Sequence, residues 1–185
     1  MPDIARFYDS FVDRLVNDYE RKNRRVVAAL EFAKPNVEGS VLDVGCGIGW
    51  TTNELGATGI DISPALIAKA RSMFPQQFIC TDFCEWEPEP FDSITMFDVY
   101  EHFPRDSRDR VHEQIRATGA RNIVITVPTP EAVQHARDMG RAQPIDEDVT
   151  LENITLIASS IGGKIEVNRI LRIGRAEYRH VLIRL

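Results

Sequence analysis

Cysteine is scarce in this 185-residue chain, which holds only Cys46, Cys80 and Cys84. An odd number cannot pair completely, and their places in and beside expected strand ends do not form a metal knuckle, so neither a disulfide scaffold nor a metal site is expected. No apolar run is long enough to span a bilayer, and Met1 to Arg6 begins an amphipathic segment rather than an export signal. Basic charge is in deficit, with 22 Lys and Arg against 28 Asp and Glu and a net charge of -6. Affinity for phosphate backbones comes from lysine and arginine, so nucleic acid is a poor partner. The densest basic run, Arg21 to Arg25, reads as a solvated turn of helix. Internal repeats and low-complexity linkers are absent as well. What remains is one α/β domain, expected in the cytoplasm, as a monomer or homodimer, with no membrane or nucleic-acid partner.

Glycine, by contrast, is concentrated where it counts. Val41-Leu42-Asp43-Val44-Gly45-Cys46-Gly47-Ile48-Gly49 sets a short apolar strand against a glycine-rich turn, which lets backbone bend sharply and approach a ligand. The glycines alternate, whereas a dinucleotide-binding turn needs G-x-G-x-x-G and a glycine where this chain has Trp50. That spacing argues against NAD. Ala57 to Asp61 then reads as a strand ending in a carboxylate, followed by Ser63 as N-cap and Pro64 at the first helical position. An acid so placed accepts both ribose hydroxyls. Phe78 to Phe83 reads as a third strand with Asp82 at its end, and Ser93 to Asp98 as a fourth strand leading into Val99-Tyr100-Glu101-His102-Phe103.

In this order the segments resemble the motifs of the seven-stranded, Rossmann-like class I S-adenosylmethionine-dependent methyltransferases. The resemblance implies an α/β, doubly wound, mostly parallel seven-stranded sheet with its last strand antiparallel, helices on both faces and an N-terminal helical lid. It implies S-adenosyl-L-methionine as cofactor and methyl transfer to an oxygen or nitrogen of a small-molecule acceptor. On that resemblance Asp43 orders the methionine amino group, directly or through water, and Gly45, Cys46 and Gly47 form the turn. Cys46 acts there through its backbone. Asp61 takes the ribose with Ile62 beside it, Asp82 meets the adenine amino group and Phe83 its face, and Asp98 and Val99 line the transfer site. Arg25 stands where related quinone-pathway O-methyltransferases place an arginine on the methionine carboxylate; Arg24 is the alternative. His102 is the candidate base, imidazole being the side chain matched to neutral pH. Tyr100 either lines the methyl pocket or packs.

The rest of the chain follows from periodicity. Apolar residues from Ile4 to Tyr19 recur on one helical face and predict a single helix, with a second over Arg24 to Phe32 ending before Pro35. Thr51 to Leu55 leaves room for a stub of helix. Arg105 to Thr118 reads as helix, Asn122 to Val127 as a buried strand, and Ala132 to Asp148 as part of an acceptor lid. Leu151, Ile154, Ile157 and Ile161 mark another helix with Thr150 as N-cap and Gly162-Gly163 as stop. Lys164 to Ile170 and Tyr178 to Ile183 are the last strands. The expected division is a cap over 1-38, a cofactor-binding core over 39-128, and acceptor lid with final strands over 129-185. No Asn/Asp-Pro-Pro-aromatic motif follows the fourth strand, which disfavours methylation of DNA bases. The alternatives are a non-catalytic, cofactor-binding regulatory chain of the same fold and a protein methyltransferase.

Overall fold

The computed structural model describes residues 4–140, 143 and 149–185. Three helices come first: α1 (Ile4–Asp9), α2 (Val12–Glu20) and α3 (Arg24–Ala33). The single helix expected over Ile4 to Tyr19 is thus broken. At the break the Ser10 hydroxyl donates to the Phe7 carbonyl at 2.7 Å, and the Phe11 N–H reaches back three residues to the Tyr8 carbonyl at 2.9 Å. A hydroxyl competing for helix carbonyls favours a turn over continuation. In α3, Asn23 caps the start by accepting from the Arg25 N–H at 3.0 Å.

An alternating series follows: β1 (Val41–Val44), α4 (Trp50–Leu55), β2 (Thr58–Asp61), α5 (Pro64–Met73), β3 (Phe78–Cys80), β4 (Ser93–Phe97), α6 (Arg108–Thr118), β5 (Asn122–Pro128), α7 (Pro130–Asp138), α8 (Leu151–Ser160), β6 (Lys164–Ile173) and β7 (Ala176–Arg184). The strands form one sheet in the order β3-β2-β1-β4-β5-β7-β6. β1 to β5 are parallel, and β7 runs antiparallel to both β5 and β6. This is the class I methyltransferase arrangement that the motifs imply. The expected caps are present too: Ser63 accepts from the Leu66 N–H, and Thr150 and Asn153 make a capping box.

Both faces of the sheet are covered, so the central strands read as continuous apolar runs rather than alternating ones. Leu42, Ile94, Ile123 and Ile125 pack with Val111 and Ile115 of α6 and Ile154 and Ile157 of α8. On the other face Val124 and Leu182 meet Phe32 and Ala33 of α3. Each of the larger of these side chains contributes about 1.5–3 kcal/mol of burial. Among the described residues no helix is long and apolar enough to cross a membrane. Strand order reverses between β1 and β4, which opens a crevice beyond the carboxyl ends of those strands, where ligands of open α/β sheets bind.

One buried group ties this core to pH. His180 on β7 is 1% exposed, stands edge-on to Phe32 with centroids 5.3 Å apart, and its Nδ1 has no hydrogen-bond partner among the described residues. Burial, reinforced by the Arg169 charge, pushes its pKa down to about 4. Below about pH 6.5 the unfolded chain takes up a proton that the folded chain refuses until about pH 4, so stability falls as pH drops through that window. Replacing His180 by Phe should remove up to about 3 kcal/mol of this dependence, measured by urea denaturation at pH 7 and pH 4.5. An unchanged slope would show that His180 is not its source.

Candidate functional site

The site begins at the turn after β1. The Gly45 and Cys46 N–H groups both donate to the Ile60 carbonyl, at 2.8 and 3.0 Å, folding the turn back over β2. Gly45 has φ +70°, and a Cβ there would stand 2.3 Å from a Val99 methyl. Only glycine admits both the left-handed backbone and the close approach. Asp61, at the end of β2, secures the turn with one oxygen that accepts from the Gly47 N–H at 2.9 Å. Its other oxygen accepts from the Ser63 N–H at 2.8 Å, fixing the entry to α5. Burial pushes this carboxyl above its ordinary range, against the pull of those two bonds.

Beyond the turn lies a cavity of about 590 Å³. Gly45, Gly47, Asp61 and Ile62 border it at the ends of β1 and β2, Asp82 and Phe83 beyond β3, and Asp98, Val99 and His102 beyond β4. Arg25 reaches in from α3 and forms an ion pair with Asp98, its guanidinium also standing 5.9 Å from the Tyr178 ring centroid. Asp98 holds φ +53°, uncommon for a residue with a Cβ, and is fixed there by its N–H to the Thr126 carbonyl at 2.8 Å. His102 ends a 3-10 turn over Tyr100–His102, with its Nε2 3.8 Å from a Glu101 carboxylate oxygen.

Not every expected site residue opens fully on this cavity. Asp43 does not border this cavity: its carboxylate accepts from the Thr51 and Thr52 hydroxyls, each at 2.7 Å, and the Thr95 hydroxyl at 2.8 Å. Three hydroxyls and 1% exposure make it an internal brace between β1, α4 and β4 rather than a group open to a ligand. Burial pushes its pKa up. Tyr100 is turned into the core, its hydroxyl on His112 Nε2 at 2.9 Å and its pKa pushed up to about 12 by burial. It packs and does not line the pocket. Phe83 reaches the cavity edge, but its ring lies against Trp86, with centroids 6.0 Å apart, inside the core. Cys46 borders only a smaller cleft of about 100 Å³ behind the turn, and burial pushes its thiol far up, consistent with a backbone role. Asp82 stands two residues past β3 and also closes a turn, accepting from the Cys84 N–H at 2.8 Å.

The expected N-terminal lid is present and brings further residues to the site, of which Asp9 and Arg14 carried no sequence signal. The N-terminal helices cover the cavity, with Tyr8, Phe11, Arg14 and Leu15 along its border. Tyr8 lies 6.0 Å from the His102 ring, and Leu15 would be 3.1 Å from a Cβ on Gly47. Asp9 reaches across to α5, where it accepts from the Ser63 hydroxyl at 2.6 Å and the Ala65 N–H at 3.1 Å. That carboxylate serves as a remote N-cap, in the favourable field of the helix start. A second anchor is apolar: Tyr19 meets Trp50 and Phe74 edge-on at 5.5 and 5.6 Å. On the far side α7 borders the cavity through Ala132, Val133 and His135, and Met139 just past its end does so as well. Of the lid expected over Ala132 to Asp148, residues 141, 142 and 144–148 lie outside the described residues.

With this geometry in place, comparison with known proteins is informative. Residues 14–150 match a family described as a methyltransferase domain. Among curated proteins, trans-aconitate 2-methyltransferase of Escherichia coli (strain 55989 / EAEC) is 41% identical over 78 residues, covering 38% of this chain and 31% of that protein. The match thus spans under a third of that relative's length. Magnesium protoporphyrin IX methyltransferase of Synechocystis PCC 6803, solved with bound SAH, aligns over 98% of this chain and 83% of its own with TM-score 0.66 and 19% identity. A putative methyltransferase from Haloferax volcanii, solved with the Trm112 methyltransferase activator, aligns over 96% of each chain with TM-score 0.79 and 14% identity.

The contact between α1 and α5 is directly testable. Asp9→Ala should cost about 1 kcal/mol, the scale of a lost helix cap, and should raise amide exchange across α1 while the central strands stay protected. Mass spectrometry of hydrogen exchange reads both. Equal protection of α1 in the variant would show that Asp9 does not hold the lid.

Proposed function

The chain belongs to the methyltransferase-domain family, and from that premise we propose that it moves a methyl group from S-adenosylmethionine to an oxygen or nitrogen of a small-molecule acceptor. The observation that carries this reading is the junction of Asp61 with the glycine turn at the edge of the cavity. Each Asp61 oxygen uses one lone pair on a backbone N–H and retains another, which leaves acceptors for two ribose hydroxyls. The Arg25–Asp98 pair offers opposite charges side by side, matching the carboxylate and ammonium of an amino-acid tail. With Asp43 enclosed by hydroxyls, Asp98 is the carboxylate left for the ammonium. Asp82 faces the adenine amino group in this arrangement. The cleft at the glycine turn therefore fits the nucleoside and amino-acid ends together.

When bound, S-adenosylmethionine supplies an electrophilic methyl on a sulfonium with a good leaving group. The protein's part is to align the acceptor and exclude water, which the α1–α2 lid and the Tyr8, Phe11 and Phe103 rings serve. His102 removes the acceptor's proton where one must leave, and the Glu101 carboxylate beside it steadies the imidazolium so formed. In this reading residues 1-38 act as the cap, 39-128 as the cofactor-binding core, and 129-185 as acceptor lid and closing strands. The curated relatives named for trans-aconitate support an acceptor of small size. A second reading, a chain that works with a protein partner, draws support from the Haloferax volcanii neighbour solved with its activator.

Two measurements test the proposal. Calorimetry should find binding of S-adenosylmethionine or its demethylated product with no appreciable affinity for NAD, and Asp61→Ala should weaken that binding about ten-fold to a hundred-fold. Preference for NAD, or an indifferent Asp61→Ala, would overturn the cofactor assignment. For the chemistry, His102→Ala should lower turnover about a hundred-fold while leaving cofactor affinity nearly unchanged. Undiminished turnover would leave alignment alone as the source of rate.

A further inference from the structure

Charge is unevenly distributed around the cavity. The carboxylates of Asp61, Asp82 and Asp98 all sit at the strand ends, where the two backbone N–H groups, the Cys84 N–H and Arg25 respectively engage them. Of the α1 and α2 side chains that border the cavity, the charged one has the opposite sign. Arg14 borders the cavity from α2, its guanidinium 5.0 Å from the Phe11 ring centroid, and among the described residues no ion pair involves it. Across the opening, α7 presents His135 to the same space. Between Arg14 and His102 the wall is aromatic: Arg14 lies over Phe11, Phe11 is 5.5 Å from Tyr8, and Tyr8 is 6.0 Å from His102.

We propose that the acceptor is an organic acid whose carboxylate pairs with Arg14, at the end of the molecule away from its methylated atom. This rests on the methyl-transfer reading of the same cavity. Guanidinium presents a planar fork of N–H donors that matches a carboxylate in two parallel hydrogen bonds, and the contact with the Phe11 ring holds that group at the cavity border in advance. The lid's Asp9 carboxylate is held against α5 by Ser63 and Ala65 and does not border the cavity, while the rings of Phe11 and Tyr8 hold the body of the acceptor along the path to His102. An exposed ion pair is weak in water. The acceptor itself, filling the cavity and displacing water, strengthens the pair at the moment of binding. Arg14 is then a specificity-determining residue, separate from the Arg25 that faces the cofactor's tail.

The test uses the full chain saturated with S-adenosylhomocysteine. Thermal shift and calorimetry compare succinate, glutarate, phenylacetate and cinnamate, each beside its amide, on the unaltered protein, Arg14→Lys and Arg14→Gln. Expected is tighter binding of at least one acid than of its amide by about ten-fold or more. That margin should shrink in Arg14→Lys, vanish in Arg14→Gln and weaken with added salt. Equal binding of every acid and amide, or an acid preference that survives Arg14→Gln, overturns the proposal. So does loss of S-adenosylhomocysteine affinity in a folded Arg14→Gln, since that would place Arg14 on the cofactor. Failure of S-adenosylhomocysteine to bind the unaltered protein would instead strike at the methyl-transfer reading itself.

Discussion

The Asp61 carboxylate holds together three parts of the molecule that would otherwise be independent. One oxygen closes the glycine turn after β1, the other fixes the start of α5, and the Ser63 beside it receives Asp9 of the lid. Asp61 is 8% exposed yet borders the cavity, so its two backbone hydrogen bonds offset part of the cost of burying charge while free lone pairs remain. Turn, helix start and lid therefore share one electrostatic centre.

Much of the strand pattern was legible in the sequence because buried parallel strands are short, apolar and bounded by glycine, proline or acid. Val41 to Val44, Ala57 to Asp61 and Asn122 to Val127 stood out on those grounds, as did the caps at Ser63 and Thr150. The break between α1 and α2 was not visible, because the apolar stripe runs through Ser10 without interruption and only the hydroxyl's bond to Phe7 turns the chain. The strand-end acids showed the same limit. Asp43, Asp61 and Asp82 look alike as acids at strand ends, and what separates them is tertiary: three threonine hydroxyls enclose Asp43, whereas Asp61 keeps a face to the cavity. Tyr100 was ambiguous for a related reason, since its partner His112 is supplied by another helix. Asp9 and Arg14 gave no local sign, being polar positions on an amphipathic helix whose neighbours are set by docking.

The site also divides its work between rigid and removable parts. The strand ends and the glycine turn belong to the central sheet, braced by Asp43, and are placed before any ligand arrives. The lid is anchored at Asp9 by a polar contact and at Tyr19 by an aromatic one. Preformed recognition of one ligand by the sheet can thus coexist with a cover that admits the other.

Asp98 carries an implication for how this protein would change under selection. Its left-handed backbone is one that aspartate and asparagine tolerate better than other residues with a Cβ, yet at a cost on the order of 1 kcal/mol that glycine would not incur. A screen rewarding thermal tolerance alone would therefore favour replacing Asp98, and with it would discard the charge that meets Arg25. In the proposed arrangement robustness and activity pull in opposite directions at this position, and aspartate there is what selection for the charge over endurance would keep.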